Sequence, residues 1–283
     1  MLRSYLYVPA DRPDRVAKAS ALDGGGRPDA LIVDLEDAVA LPAKADARAS
    51  LVAWLAEAEG SGPQVFVRIN SGPLGDDDCA ALAPAIAAGR VAGLVVPKAT
   101  AATLSGTTAL AGLAGPAAGS LSVVPIVESA DGLHEIDAIA TTPGVTALAI
   151  GEADLCADLG IRPGAEHALW PLRMRVVAAS ARARIEPPMG PVFIDVRDAD
   201  GLARSMTAVR DAGFGSAAAI HPGQVAAINA VFRPGAEEQQ AAIEVLRAFE
   251  AAMREGRGVV VDANGRMIDE AVVRSARRIL GEA

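Results

Sequence analysis

The chain has 283 residues, a formal net charge of −9, 51% hydrophobic residues and 3% aromatics. A core of Ala, Val, Leu and Ile is therefore expected, and bulk nucleic-acid binding, which needs a basic face, is excluded. Cys79 and Cys156, the two cysteines, are too few for a disulfide framework or a zinc site.

Apolar runs with strand character alternate with helical patterns along the chain. In order they read as strand Ser4–Val8, helix Asp11–Leu22, strand Ala30–Leu35, helix Ala43–Glu59, strand Gln64–Ile69 and helix Asp76–Ala88. Strands Gly93–Pro97 and Leu121–Val127 follow, with a loose helix end and loop at Ala109–Ser120 between them. Helix Gly132–Thr141, strand Ala147–Gly151, helix His167–Ala183, strand Pro191–Val196, helix Ala199–Ala212 and strand Ala217–His221 complete the pattern. About eight βα repeats predict an α/β TIM barrel over residues 1–225. No GxGxxG follows the first strand, which argues against a doubly wound dinucleotide-binding sheet.

Beyond His221 the pattern changes. Helices are predicted at Glu237–Glu255 and Met267–Gly281, with hairpin character between them in GVVVDANGR, where Asn264-Gly265 is the turn signal. Residues 226–283 thus read as a C-terminal helical extension. The opening MLRSYLYVPADRP lacks a signal peptide's apolar core, and no long uncharged apolar stretch reads as a membrane span. A cytoplasmic protein with no membrane partner is expected.

In a parallel barrel the active site lies at the C-terminal ends of the strands. The polar residues there, in order, are Asp11 and Arg12, Glu36 and Asp37, Arg68 and Asn70, Lys98, Glu128, Glu152 and Asp154, Asp195 and Asp198, and His221. Glu128 and Asp154 end two buried-type runs, VVPIVES and AIGEADL. Ionised carboxylates persist in such places when paired or metal-bound. Together they make an oxygen-ligand site for a hard cation, most plausibly Mg²⁺; the rival reading makes each a helix N-cap. Arg68 is expected to pair with Glu36 or Asp37, or to grip a substrate carboxylate. Glu36 and Asp37 are read as supports behind the metal ligands. His221 is assigned a structural hydrogen-bonding role, the Asp76-Asp77-Asp78 run a solvated helix start, and Trp54 and Trp170 places in the core. Asp269, before the last helix, reads as an N-cap.

RSYLYVPADRPDR, IVDLEDAV with Lys44 and Arg48 after it, VRIN, VVPK, PIVES, GEADLCADLG, AIHPGQ and GRMIDEAVVRSARRIL together resemble the citrate lyase β-subunit-like branch of the HpcH/HpaI aldolase superfamily. The resemblance runs from Arg3 to Leu280. It implies a Mg²⁺-dependent TIM barrel with a C-terminal helical extension that packs on a neighbouring subunit of a trimer or hexamer. It also implies cleavage or formation of a C–C bond between an acyl-CoA enolate and a 2-oxo acid. By that resemblance the metal ligands fall on Glu128 and Asp154, and the substrate-binding arginine on Arg68. A catalytic aspartate supplied to a neighbouring subunit falls on Asp269.

The chain departs from the family pattern at Ala153 beside the metal ligand, at Gly190, at Ala217 and Ala218, and at Ala271. These departures leave the acyl group open. The expected activity is retro-aldol cleavage of a malyl-, citramalyl- or citryl-type thioester, with Arg12, Lys18 and Lys44 as candidate contacts to CoA phosphates. The alternatives are a thioester hydrolase, a CoA-independent 2-oxo acid aldolase with Lys98 as a Schiff-base nucleophile, and a non-catalytic ligand-binding subunit.

Overall fold

Eight parallel strands close into a barrel in chain order: β1 (Ser4–Pro9), β2 (Ala30–Asp34), β3 (Gln64–Arg68), β4 (Gly93–Val96), β5 (Ser122–Val127), β6 (Ala149–Ile150), β7 (Met189–Gly190) and β8 (Ser216–Ala219). Closure is made by β1, which pairs with β2 on one side and β8 on the other. The computed structural model describes residues 2–58, 62–104, 121–162, 164–254, 260–261 and 265–281. The predicted loop Ala109–Ser120 and the turn residue Asn264 lie outside them.

Around the barrel run α1 (Pro13–Ser20), α2 (Lys44–Glu57), α3 (Pro73–Ala87), α4 (Ala130–His134), α5 (Ile136–Ala140), α6 (Glu152–Leu159), α7 (Glu166–Ala183), α8 (Ala199–Asp211) and α9 (Pro222–Phe232). The expected TIM barrel is present. Its core has two layers, as alternation along buried strands requires. Inward-facing Tyr5, Ile32, Phe66, Val95, Val124, Ile126, Ala149, Met189 and Ala218 fill the barrel. The outward set, with Leu31, Val33, Val67, Leu94 and Val127 among it, packs against the helices. Tyr5 and Phe66 meet edge to face with ring centroids 5.3 Å apart, and the neighbouring strand β8 brings only small residues, SAAA, with Ala218 as Tyr5's register partner.

Three elements differ from the sequence reading. The seventh strand is Met189–Gly190 rather than Pro191–Val196; the apolar run after it crosses the barrel mouth as a loop, leaving Ile194 79% exposed. The helix expected at Gly132–Thr141 is two short ones meeting at Glu135. The acid-rich segment after β6 is itself a helix, α6.

The chain divides into two compact units, residues 2–232 and 233–283. The division falls beyond the 225/226 boundary because α9 packs on β8 and β1. In the second unit, α10 (Ala236–Arg254) packs with α11 (Glu270–Leu280), and β9 (Val260–Val261) pairs antiparallel with β10 (Met267–Ile268). The last helix starts after Met267–Ile268 because those residues pair as a strand, and Asp269 then caps it. Its Oδ1 accepts the N–H groups of Ala271 at 2.9 Å and Val272 at 3.1 Å. No described helix is long and apolar enough to cross a membrane.

Candidate active site

Strand alternation delivers the site. Continuing the inward-facing rows upward from Tyr5, Ile32, Phe66 and Ile126 places Tyr7, Asp34, Arg68 and Glu128 together at the barrel mouth. All four line a cavity of about 1140 Å³ that also takes in Asp154 and Trp170.

The register pairs Asp34 with Arg68 across β2 and β3, and their side chains form a fork. Arg68 Nε donates to Asp34 Oδ1 at 2.7 Å and Nη2 to Oδ2 at 2.6 Å. Asp34 is buried, and it also accepts from the N–H groups of Glu36 and Ala38. Burial alone lowers the Arg68 pKa, but the hydrogen bonds and charge of Asp34 more than reverse this and raise it. Its guanidinium also sits 5.1 Å from the Tyr7 ring centroid. Arg68 Nη1 lies 3.1 Å from Glu36 Oε2 and 4.0 Å from Asp37 Oδ2. Arg68 thus approaches both expected acids, but its principal partner is Asp34, which the sequence reading passed over.

Glu128 ends β5, 5% exposed. Its Oε1 accepts the backbone N–H of Lys98 at 2.6 Å, and Lys98 itself has a φ of +49°. That left-handed conformation is uncommon for a side chain other than Gly, Asn or Asp. Burial pushes the Glu128 carboxyl up to about 7; the Lys98 N–H opposes this, and the charges of Glu36 and Asp154 add to it. Gly151 makes room for it, since a Cβ there would lie 2.5 Å from Glu128 Oε2. Glu128 is not a helix cap: Ser129 caps α4, accepting from the N–H of Gly132 at 3.0 Å. Nor is Asp154, which sits in the first turn of α6 while Gly151 holds the cap position.

The start of α6 is fixed by Arg173, 3% exposed on α7. It forks onto Glu152 at 2.5 and 2.8 Å, reaches Glu166 at 2.9 Å and lies 4.5 Å from the Trp170 ring centroid. Asp158 of the same helix accepts the N–H of Ala130 at 2.6 Å, tying α6 to α4. Trp170 therefore borders the cavity rather than the core, whereas Trp54 packs against the core as expected.

The donor set suits a hard divalent cation. Among the described residues no group of three or more His, Cys, Asp or Glu converges as a ready-made cage. Two carboxylates, one of them buried with its pKa raised chiefly by burial, match Mg²⁺, which keeps water and substrate oxygens in its remaining positions.

The other candidates lie elsewhere. Lys44 Nζ donates to the carbonyls of Leu35 and Glu36 at 2.8 and 2.7 Å, so it braces the loop after β2. Arg12 is exposed beside Asp14 at 3.3 Å, and Lys18 is exposed on α1. His221 is exposed, and its Nδ1 accepts the N–H of Gly223, a structural hydrogen bond of the kind expected. Asp78 departs from the solvated reading. It is fully buried and accepts from Arg48 Nε at 2.6 Å and from the N–H and Nδ2 of Asn70 at 2.8 Å.

Residues 3–222 match the model of the HpcH/HpaI aldolase/citrate lyase family. The chain belongs to that family. It is 32% identical, over 99% of its length and 94% of the relative's, to a (3S)-malyl-CoA thioesterase of Cereibacter sphaeroides. It is 31% identical, over the same shares, to an L-malyl-CoA/beta-methylmalyl-CoA lyase of that organism. Among solved structures it is similar to the protein CitE from Mycobacterium tuberculosis in complex with magnesium, acetoacetate and coenzyme A. There the TM-score is 0.75 and the identity 29%, over 99% of this chain and 97% of the other.

For this family member, the signal that finds Asp34 is its place two residues after Ile32 in a strand whose inner face carries Arg68's register partner. Arg173 gives no such signal, because its partners Glu152 and Glu166 reach it only through the packing of α6 and α7.

Proposed function

We propose that the protein is a Mg²⁺-dependent carbon–carbon lyase. It would split a 3-hydroxyacyl-CoA of the malyl, citramalyl or citryl type into a 2-oxo acid and an acyl-CoA, or run the condensation. The observation that carries this reading is the buried Glu128, facing the charge of Asp154 and standing beside an arginine already forked by Asp34. Glu128 and Asp154 would hold the Mg²⁺, which as a Lewis acid acidifies the substrate hydroxyl and orients its carboxylate.

The chain's own groups account for the rest. In cleavage the hydroxyl gives its proton to water in the cavity, the C–C bond breaks as the oxygen becomes the new carbonyl, and the bond's electron pair moves into the thioester carbonyl to give an enolate. Arg68 stabilises that developing charge, a contribution of about 3 kcal/mol for one well-placed donor. The N–H groups of Ala153 and Asp154, in the first turn of α6, favour the substrate carboxylate. Asp269 of a neighbouring copy is assigned the proton transfer at the enolate carbon; as an N-cap through Oδ1 it keeps Oδ2 for that role. The active form is then a homo-oligomer, a trimer or hexamer, in the cytoplasm.

A second reading is thioester hydrolysis, favoured by the likeness to the (3S)-malyl-CoA thioesterase. A Schiff-base aldolase is disfavoured, because the hydrogen bond to Glu36 raises the Lys98 pKa, whereas a nucleophilic amine needs it lowered. The test is a panel of malyl-, methylmalyl-, citramalyl- and citryl-CoA with Mg²⁺. Release of glyoxylate, pyruvate or oxaloacetate with acyl-CoA supports the lyase; free CoA with intact hydroxy acid supports the hydrolase; binding without turnover sinks both.

A further inference from the structure

We infer that Tyr7 is a second donor to the substrate, its phenol hydroxyl binding the thioester oxygen beside Arg68. Tyr7 lies two residues beyond Tyr5 on the inward-facing row of β1, and it lines the cavity with Asp34, Arg68 and Glu128. The Arg68 guanidinium stands over its ring, 5.1 Å from the centroid. The hydroxyl of that ring feels the charges of Arg68, Asp34, Glu128 and Glu36. It makes no hydrogen bond among the described residues, where the buried side-chain atom left without a partner is Glu36 Oε2. The Tyr7 hydroxyl is therefore open to the cavity rather than sealed in the wall. Packing does not call for it, since a phenylalanine would fill the same volume and offer the cation the same ring face.

The state of Arg68 gives such a donor its use. Asp34 takes Nε and Nη2, and Glu36 Oε2 lies 3.1 Å from Nη1. Arg68 keeps N–H groups for substrate, but these carboxylates balance its charge. The phenol adds a donor that no carboxylate occupies. Burial raises the Tyr7 pKa; Arg68 opposes this and the nearby acids add to it, so the hydroxyl keeps its proton and acts only as a donor. An enolate oxygen accepts more strongly than a thioester carbonyl. The contact therefore tightens as the C–C bond breaks, which is the condition for lowering the barrier. The inference rests on the reading of the cavity as an acyl-thioester site.

Tyr7→Phe is the test, because it deletes the hydroxyl and keeps the ring under Arg68. On the thioester that the wild type turns over best, kcat is expected to fall about 100-fold, as for removal of one transition-state donor. KM is expected to stay within about threefold, and the thermal midpoint to stay where it was. A kcat within about twofold of the wild type, or a loss matched by a drop in the midpoint, overturns the proposal. Crystals soaked with Mg²⁺ and acetyl-CoA supply the arm that needs no turnover. There the thioester oxygen is expected within hydrogen-bonding distance of the Tyr7 hydroxyl. Acetyl-CoA bound with that oxygen elsewhere, or not bound at all, overturns the proposal. The oxygen found on Tyr7, in a wild type that turns over no thioester, overturns only the lyase reading.

Discussion

The two halves of the barrel mouth are built on different terms. Strands β1 to β5 run four to six residues each and bring Tyr7, Asp34 and Arg68 to the mouth, with Glu36, Lys98 and Glu128 just beyond the ends of β2, β4 and β5. β6 and β7 are two residues each, and their half is lined by Ala149, Met189, Pro191, Ala218 and Ile220. Buried charges need fixed partners at fixed distances, since an unpartnered one costs several kcal/mol, and long in-register strands deliver them. Apolar contact with a ligand is non-directional, so short strands and loops suffice on the other side. The acids that line the cavity from that half, Glu152, Asp154, Glu166 and Asp198, stand on helices or at a helix start rather than on strands. The helix of Glu152 and Asp154 is anchored by the Arg173 fork.

The largest expected effect comes from breaking the polar half at its centre. Arg68→Ala leaves Asp34 buried and uncompensated, a loss of about 3–5 kcal/mol. The thermal midpoint, followed by circular dichroism, is expected to fall by about 10 °C, and turnover by about 10²–10³-fold.

Glu128 sharpens the comparison through pH. Its carboxyl is raised to about 7, chiefly by burial. Stability from a group raised on folding is fully present below its unfolded pKa and is lost as pH rises through the folded one. The metal-free protein therefore loses stability, at most about 3 kcal/mol, as pH climbs from about 4.5 to 7. Mg²⁺ restores most of it above about pH 7, where no proton competes for the carboxylate. Thermal melts with and without Mg²⁺ across that range check this. Glu128→Gln is expected to remove the Mg²⁺ response and to flatten the slope, leaving the part due to Glu36, whose carboxyl burial also raises.

The smallest effect belongs outside both halves. His221→Ala removes one hydrogen bond from an exposed side chain and is expected to change stability by no more than about 0.5 kcal/mol. Its steady-state kinetics should match the wild type within about twofold.

The same contrast decides what the sequence made legible. Strands β1 to β5 were readable because each is a continuous apolar run buried on both faces, which periodicity detects. β7 was misplaced because PVFIDV has the composition of a strand, yet its residues cross the mouth as a loop with Ile194 in solvent; composition cannot register that. Glu36, Arg68, Glu128 and Asp154 stood out at strand ends and do gather around one cavity or its rim. Asp34 sits inside the otherwise apolar strand ALIVD, so no strand-end position marks it. The N–H that Lys98 gives to Glu128 is a main-chain contact, which no side-chain pattern announces. The shared use of Glu36 by Lys98 and Arg68 joins three strand ends, a relation set by barrel closure rather than by spacing along the chain.

The central claim is that the polar half, completed by Asp154, is a divalent-cation site. Anomalous diffraction from crystals soaked in Mn²⁺, a scattering substitute for Mg²⁺, tests it directly. The account predicts one peak within bonding distance of Glu128 and Asp154, absent in Glu128→Gln. A peak that ignores both carboxylates, or one that survives the substitution unchanged, would contradict it.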